Sequence, residues 1–328
     1  MTGPAGVNDA AGGRRFRFGV IARDLHTAAR LAAGARRAEE LGYSTLLMRD
    51  HLSAGSLGRS LAPLTALMAA ACATRRLRVG TLVLDNDHRH PAVLAKEAAT
   101  LDVLSEGRFE LGLGAGWMRS EYAEAGIPFD RAGVRVERLE EAIAVLRGLL
   151  SGDRTSFAGR HYTIDGLRNF PCPVQRPRPP LLVGAGSPRM LALAGREADI
   201  VAIAAPALAD GTLSNDPRER SADGVARKVA RVREAAGGRF ADIELCLPAT
   251  VHLVTDRRVA AERLAAERGW GASATDLVLD MPSLFFGTEE DVAEQMRERR
   301  DRYGISYYVV PDQDMEAFAP IVELLAGR

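Results

Sequence analysis

The chain has 328 residues, 47% hydrophobic and only 5% aromatic, so it can bury one large core resting on Ala, Leu and Val. Its 43 basic and 43 acidic residues cancel to a formal charge of zero, which argues against nucleic acid or an anionic membrane surface as partner. The three cysteines, Cys72, Cys172 and Cys246, are odd in number and in no CxxC spacing, which argues against a disulfide framework or a zinc site.

Residues Met1 to Gly13 are small, Gly-rich and aperiodic, and read as a disordered tail before a domain spanning residues 14–328. Arg14-Arg15 is followed by no apolar h-region and no small-residue cleavage site, so a twin-arginine signal is rejected. No apolar run approaches the roughly 18 residues of a membrane span. The expected setting is cytoplasmic, and the neutral surface is compatible with a homodimer.

Short β-branched or apolar runs then alternate with longer amphipathic ones. The spacing predicts a strand at Phe16–Ile21, a helix from His26 to Leu41 stopped by Gly42, a strand at Thr45–Met48 and a helix at Leu61–Thr74. A strand at Leu77–Leu84 follows, then a helix at Pro91–Leu104 with its proline in the first turn, a strand at Arg108–Leu113 and a long helix at Arg131–Leu150. Glycines and prolines break the rhythm between Ser151 and Pro180, around a short hairpin strand at Arg160–Ile164. The rhythm resumes with strands at Leu181–Val183 and Ile200–Ile203 flanking a helix at Pro188–Arg196. After an irregular segment from Ala204 to Arg220 come a helix (Ala222–Ala236), a strand (Glu244–Val254) and a helix (Arg257–Glu267). A helix (Glu289–Tyr303), a strand (Ser306–Val310) and a helix (Met315–Ala326) close the chain. Eight strands alternating with helices point to an α/β fold, a closed (β/α)8 TIM barrel with insertion segments. A doubly wound open sheet is the rival architecture.

In such a barrel the chemistry sits at the C-terminal ends of the strands. Four successive strand ends carry titratable or glycine-rich loops: Arg49-Asp50-His51; Asp85 to His90; Gly114-Ala115-Gly116-Trp117 with Glu121 and Tyr122 behind; and Gly184-Ala185-Gly186-Ser187. The last runs from a strand into a helix with Pro188 in its first turn, which suits backbone N–H groups to a phosphate. Gly112 to Gly116 lacks the GxGxxG spacing of a dinucleotide fingerprint; its glycines suit the close approach of a flat ring. His51 is a candidate acid or base near neutral pH, and Glu121 a second. His88 and His90 bracket Arg89 without a third metal ligand at defined spacing, so no metal site is expected.

The block from Val79-Gly80-Thr81-Leu82-Val83-Leu84 through His90-Pro91, Ser105-Glu106-Gly107-Arg108 and Leu111-Gly112-Leu113-Gly114-Ala115-Gly116-Trp117 to Glu121-Tyr122 resembles the luciferase-like monooxygenase superfamily. Asp50-His51, Gly184 to Ser187 with Ala198-Asp199, and Phe286-Gly287-Thr288 resemble its other landmarks. The details look closest to actinobacterial members dependent on coenzyme F420. The resemblance implies a (β/α)8 barrel and an oxidoreductase that passes a hydride between F420 and a small organic substrate. An FMN-dependent monooxygenase using molecular oxygen is the alternative, and a non-catalytic flavin-binding relative the second. It further implies a ring held by Asp50, His51, Leu82, Val83, Asp85 and Gly114, Ala115, Gly116, Trp117. The cofactor phosphate falls on Gly184, Ala185, Gly186, Ser187, and a cis peptide at Leu82–Val83 presses backbone against the ring. Two features depart from the sugar-phosphate dehydrogenase branch: Trp117 stands where that branch has a catalytic Glu, and Ala204 to Ala207 stand where it has a phosphate-binding lysine.

Overall fold

The computed structural model describes residues 14–53 and 61–328; the segment read above as a tail lies outside them. The chain order is β1 (Arg17–Ile21), α1 (Ala28–Glu40), β2 (Thr45–Met48), α2 (Pro63–Ala73), β3 (Arg78–Thr81), β4 (Leu84–Asp85), α3 (Pro91–Leu104), β5 (Phe109–Gly114), α4 (Arg119–Ala125) and α5 (Ala132–Ser151). There follow β6 (Arg154–Ala158), β7 (Thr163–Arg168), β8 (Leu181–Ala185), α6 (Pro188–Glu197), β9 (Ile200–Ile203), α7 (Ala222–Ala236), β10 (Glu244–Pro248) and β11 (Thr250–Leu253). The last elements are α8 (Arg257–Glu267), α9 (Thr275–Leu279), β12 (Leu284–Gly287), α10 (Glu289–Tyr303), β13 (Ile305–Pro311) and α11 (Met315–Leu325).

All pairs in the main sheet are parallel, and it closes on itself. β1 lies between β2 and β13, the ring continues through β10, β9, β8 and β5, and β5 returns to β3 through Val79↔Phe109 and Gly80↔Glu110. A (β/α)8 barrel is therefore the architecture, and the open-sheet rival is excluded because no edge is left in the ring.

Strand alternation divides the core into two shells. On β1, Phe18 and Val20 face outward onto helices such as α11, where Phe18 meets Phe318 edge-on at 5.4 Å. Ile21 faces inward with Leu47, Leu182, Ile200, Ala202, Cys246, Tyr307 and Val309. Helix caps follow local rules: Thr27 caps α1, Ser187 caps α6, and Thr288 with Asp291 forms a capping box on α10.

The floor of the barrel is ionic where an apolar layer would serve. Arg17 pairs with Glu110 and Glu244, each at 2.7 Å, Arg78 reaches Glu110 at 2.6 Å, and the Arg17 guanidinium lies 3.8 Å over the Tyr307 ring. Both arginines hold the fully buried Glu110 carboxyl below the usual range against the opposing effect of burial.

Three expectations are corrected. The strand read as Leu77–Leu84 breaks after Thr81, and β4 pairs separately with β5 (Leu84↔Leu113, Asp85↔Gly114) beyond a cis peptide at Leu82–Val83. The strand read as Glu244–Val254 breaks at Ala249: its second half leaves the ring and pairs with the unanticipated β12, carrying α8 and α9 on a small core of its own. The hairpin strand read at Arg160–Ile164 falls largely on the turn between β6 and β7. Helix α4 is too short for its period to register in the sequence.

Candidate active site

Strand ends β2, β4, β5, β8 and β9 surround a cavity of about 360 Å³ at the barrel mouth. Its lining includes Asp50, His51, Leu82, Val83, Asp85, Gly114, Ala115, Gly116, Trp117, Glu121, Gly184, Gly186 and Ser187. Of the candidate residues only Ala185 stands apart. It alternates with Gly184 and Gly186 on the strand, so its side chain is buried in the outer shell. A larger, open groove of about 1070 Å³ lies between residues 252–267 and 287–290. None of the glycine-rich or His-bearing strand ends named above reaches it.

His51 and Glu121 are brought together from elements 70 positions apart, with His51 Nδ1 3.0 Å from Glu121 Oε2. Glu121 is buried, and its other oxygen accepts the backbone N–H of Ser53 at 3.2 Å. With Nδ1 engaged, Nε2 is the ring nitrogen left for a ligand. Trp117 stands edge-on to the imidazole, with centroids 6.2 Å apart.

Asp50 lies one layer behind. It accepts from Arg89 Nη1 at 2.6 Å and Nη2 at 3.2 Å and from the Asp85 backbone N–H at 3.1 Å. Burial would raise its carboxyl, but the flanking His88 and Arg89 outweigh burial and hold it at about 2. The His88 ring sits 3.5 Å from Asp50 and 3.6 Å from Asp85, with neither nitrogen in hydrogen-bonding geometry. Asp85 accepts from Tyr122 Oη at 2.9 Å and the Asp87 N–H at 2.9 Å, yet burial still raises its carboxyl.

Two glycines at the rim have different reasons. Gly116 has φ +71°, and a Cβ there would sit 1.9 Å from Tyr122 Oη and 2.5 Å from the Asp85 carboxylate. Gly186 is required by its own barrel: a Cβ would come within 2.4 Å of the Ala205 carbonyl oxygen. The crowding is against the neighbouring loop that carries Ala205.

The sequence reading passed over Arg135. It is buried on α5, lines the cavity, donates to the carbonyls of Ala115 (3.1 Å), Gly116 (3.4 Å) and Asp130, and so ties down the glycine loop. A signal was present: Arg135 shares the inward stripe of Leu139, Ala142 and Leu146. An arginine on an apolar stripe has a buried task.

The cavity walled by Leu82, Val83, Gly114 and Ala115, edged by Trp117 and a His–Glu pair, sits where enzymes built on a (β/α)8 barrel carry their active sites. The chain belongs to the luciferase-like monooxygenase family, whose model matches residues 14–307. It is 36% identical over 183 residues to the F420-dependent hydroxymycolic acid dehydrogenase of Mycobacterium tuberculosis, covering 55% of this chain and 50% of that protein. It is 32% identical over 244 residues to the F420-dependent glucose-6-phosphate dehydrogenase of Beutenbergia cavernae, covering 72% of this chain and 67% of that one. The chain thus spans half the length of the first relative. The fold superposes on the F420-dependent tetrahydromethanopterin reductase of Methanopyrus kandleri with a TM-score of 0.73 at 19% identity, over 95% and 98% of the two chains.

Proposed function

We propose that the chain is a hydride-transfer oxidoreductase that uses coenzyme F420 on a small organic substrate. The observation that carries the reading is the His51–Glu121 pair, set 3.0 Å apart at the edge of a cavity whose walls suit a flat ring. The F420-dependent relatives named above support the deazaflavin over FMN.

The residues present fit such a group. Leu82 and Val83 form one wall, the Gly114–Trp117 loop another, and the absence of side chains at Gly114 and Gly184 leaves the slot open beside Val83. Gly184, Gly186 and Ser187 at the start of α6 would face the cofactor phosphate. A bound deazaflavin supplies the two-electron hydride chemistry. The protein's part is to orient the substrate and to move a proton. Glu121 accepts from Nδ1 and fixes the His51 tautomer; Nε2 then gives or takes the proton at the substrate oxygen. Asp50, ionised at working pH and clamped by Arg89, holds the backbone of Asp85 and with it the turn after the Leu82–Val83 wall. Trp117 in the place of a catalytic Glu argues against glucose 6-phosphate as the substrate.

The test is a titration of purified protein with F420 and with FMN, following quenching of each cofactor's fluorescence. F420 is expected to bind at least about tenfold tighter, about 1.4 kcal/mol. Tighter binding of FMN, or no saturable binding of F420, overturns the reading.

A further inference from the structure

Next to the ring-binding cavity lies a second lobe of about 320 Å³, lined by the ends of β1, β2, β10 and β13 and sharing Arg49 and Leu82 with the first. Its charges are unusual. Arg23, Arg49 and Arg268 all line it, and none has a carboxylate oxygen within ion-pair distance among the described residues. Nearly every other arginine near the barrel mouth is paired or bonded to carbonyls: Arg89 with Asp50, Arg138 with Asp87, Arg135 with three backbone oxygens.

The environment is hostile to unpaired cations. Arg49 is half-buried, and burial together with the neighbouring Arg23 lowers it to about 10, against a pull from Asp312. The Nε of Arg23 is buried without a hydrogen-bond partner. Arg268, exposed at the entrance, also repels Arg220, whose own burial is the larger strain on its charge. Asp314 lines the lobe and Asp312 acts on Arg49 from nearby, and neither neutralises it. Asp312 is occupied by the backbone N–H groups of Arg23 and Asp24, each at 3.0 Å. Burial pushes the Asp314 carboxyl up, although Arg23 and His252 act to lower it. Holding guanidinium groups half out of water without counter-ions is unfavourable in the free protein, and a bound anion removes the penalty.

We infer that this lobe is the substrate's anion site: Arg49, with Arg23 and Arg268, receives a carboxylate or phosphate group of the substrate and aims its reacting carbon past Leu82 toward His51. The inference rests on the reading of the first cavity as the ring site. The anion belongs to the substrate, because the turn assigned to the cofactor phosphate, at the end of β8, stands four strands from β1 in the ring of eight, directly across the barrel. Guanidinium is suited to both head groups, since its donors match two oxygens at once.

The probes are hexanoate, hexyl phosphate and hexanamide, which share a chain and differ in charge. Binding is measured by calorimetry on the cofactor-free protein and again on protein saturated with F420. At least one anion is expected to bind about tenfold or more tighter than the amide, and the tighter of the two assigns the head group. Arg49→Gln is expected to bring that anion down to the amide's affinity, and Arg49→Lys to keep part of the preference. Arg268→Gln, on an exposed residue whose loss leaves the fold intact, is expected to weaken the anion severalfold, which guards against a misfolded Arg49 variant. Equal binding of acid and amide to the wild type overturns the inference. So does a loss of F420 affinity in Arg49→Gln equal to the loss of anion affinity, which would assign the cluster to the cofactor. If F420 fails to bind the wild type while anions still discriminate, the cofactor reading falls and the anion site stands.

Discussion

Asp50→Asn removes one charge and little else. The amide oxygen can still accept the Asp85 N–H, but Arg89 loses its counter-ion and His88 one of its two carboxylates. Asp50 is 6% exposed, and its carboxyl is held at about 2 against an ordinary value of 3.8. At about 1.4 kcal/mol per pH unit that shift corresponds to roughly 2.5 kcal/mol of folding free energy. That figure already contains the loss of Arg89's counter-ion, because neutralising the carboxyl orphans the same guanidinium. A carboxyl whose folded value lies below its unfolded one stabilises fully above the unfolded value and loses that contribution as pH falls through the folded one. The wild-type advantage is therefore complete near neutrality, and linkage leaves about half of it at pH 3. Urea unfolding of both proteins at pH 7, 5 and 3 reads it directly. A difference below about 1 kcal/mol at pH 7, or one undiminished at pH 3, refutes the assignment of Asp50 as a charge clamp under the active-site turn.

His51→Ala is expected to lower turnover about 100-fold while cofactor affinity changes little, and Glu121→Gln to lower it less and to shift the pH–rate profile; unchanged turnover in His51→Ala at saturating cofactor removes it from the mechanism. Gly116→Ala is expected to cost about 1 kcal/mol from backbone conformation alone and more from displacing Tyr122 and Asp85, seen as a lower midpoint in thermal unfolding and weaker ring binding. A variant as stable as the wild type would show that the loop moves freely.

The sequence by itself determined the alternation of elements, because each strand and helix announces its buried face by local period: β1 with Phe18 and Val20 on one side, α3 with Pro91 at its start and Leu94, Ala95, Ala98 and Ala99 along its buried side. It also determined which loops crowd the rim, since a parallel barrel places every strand end on one face. Only the tertiary structure decided what those loops do together. That His51 and Glu121 form one hydrogen-bonded pair, and not two separate candidates, depends on α4 folding back across the mouth. That Ala185 faces away while its neighbours line the cavity depends on the register of β8 with β9. That β11 leaves the ring at Ala249 to pair with β12 was hidden because an apolar run carries no mark of which sheet it will join. The same holds for charge: Arg17, Arg49 and Arg89 read alike in sequence, and the floor of the barrel, the substrate lobe and the Asp50 clamp differ only in whether folding brings a carboxylate within reach, because an ion pair is a long-range contact that local sequence does not encode.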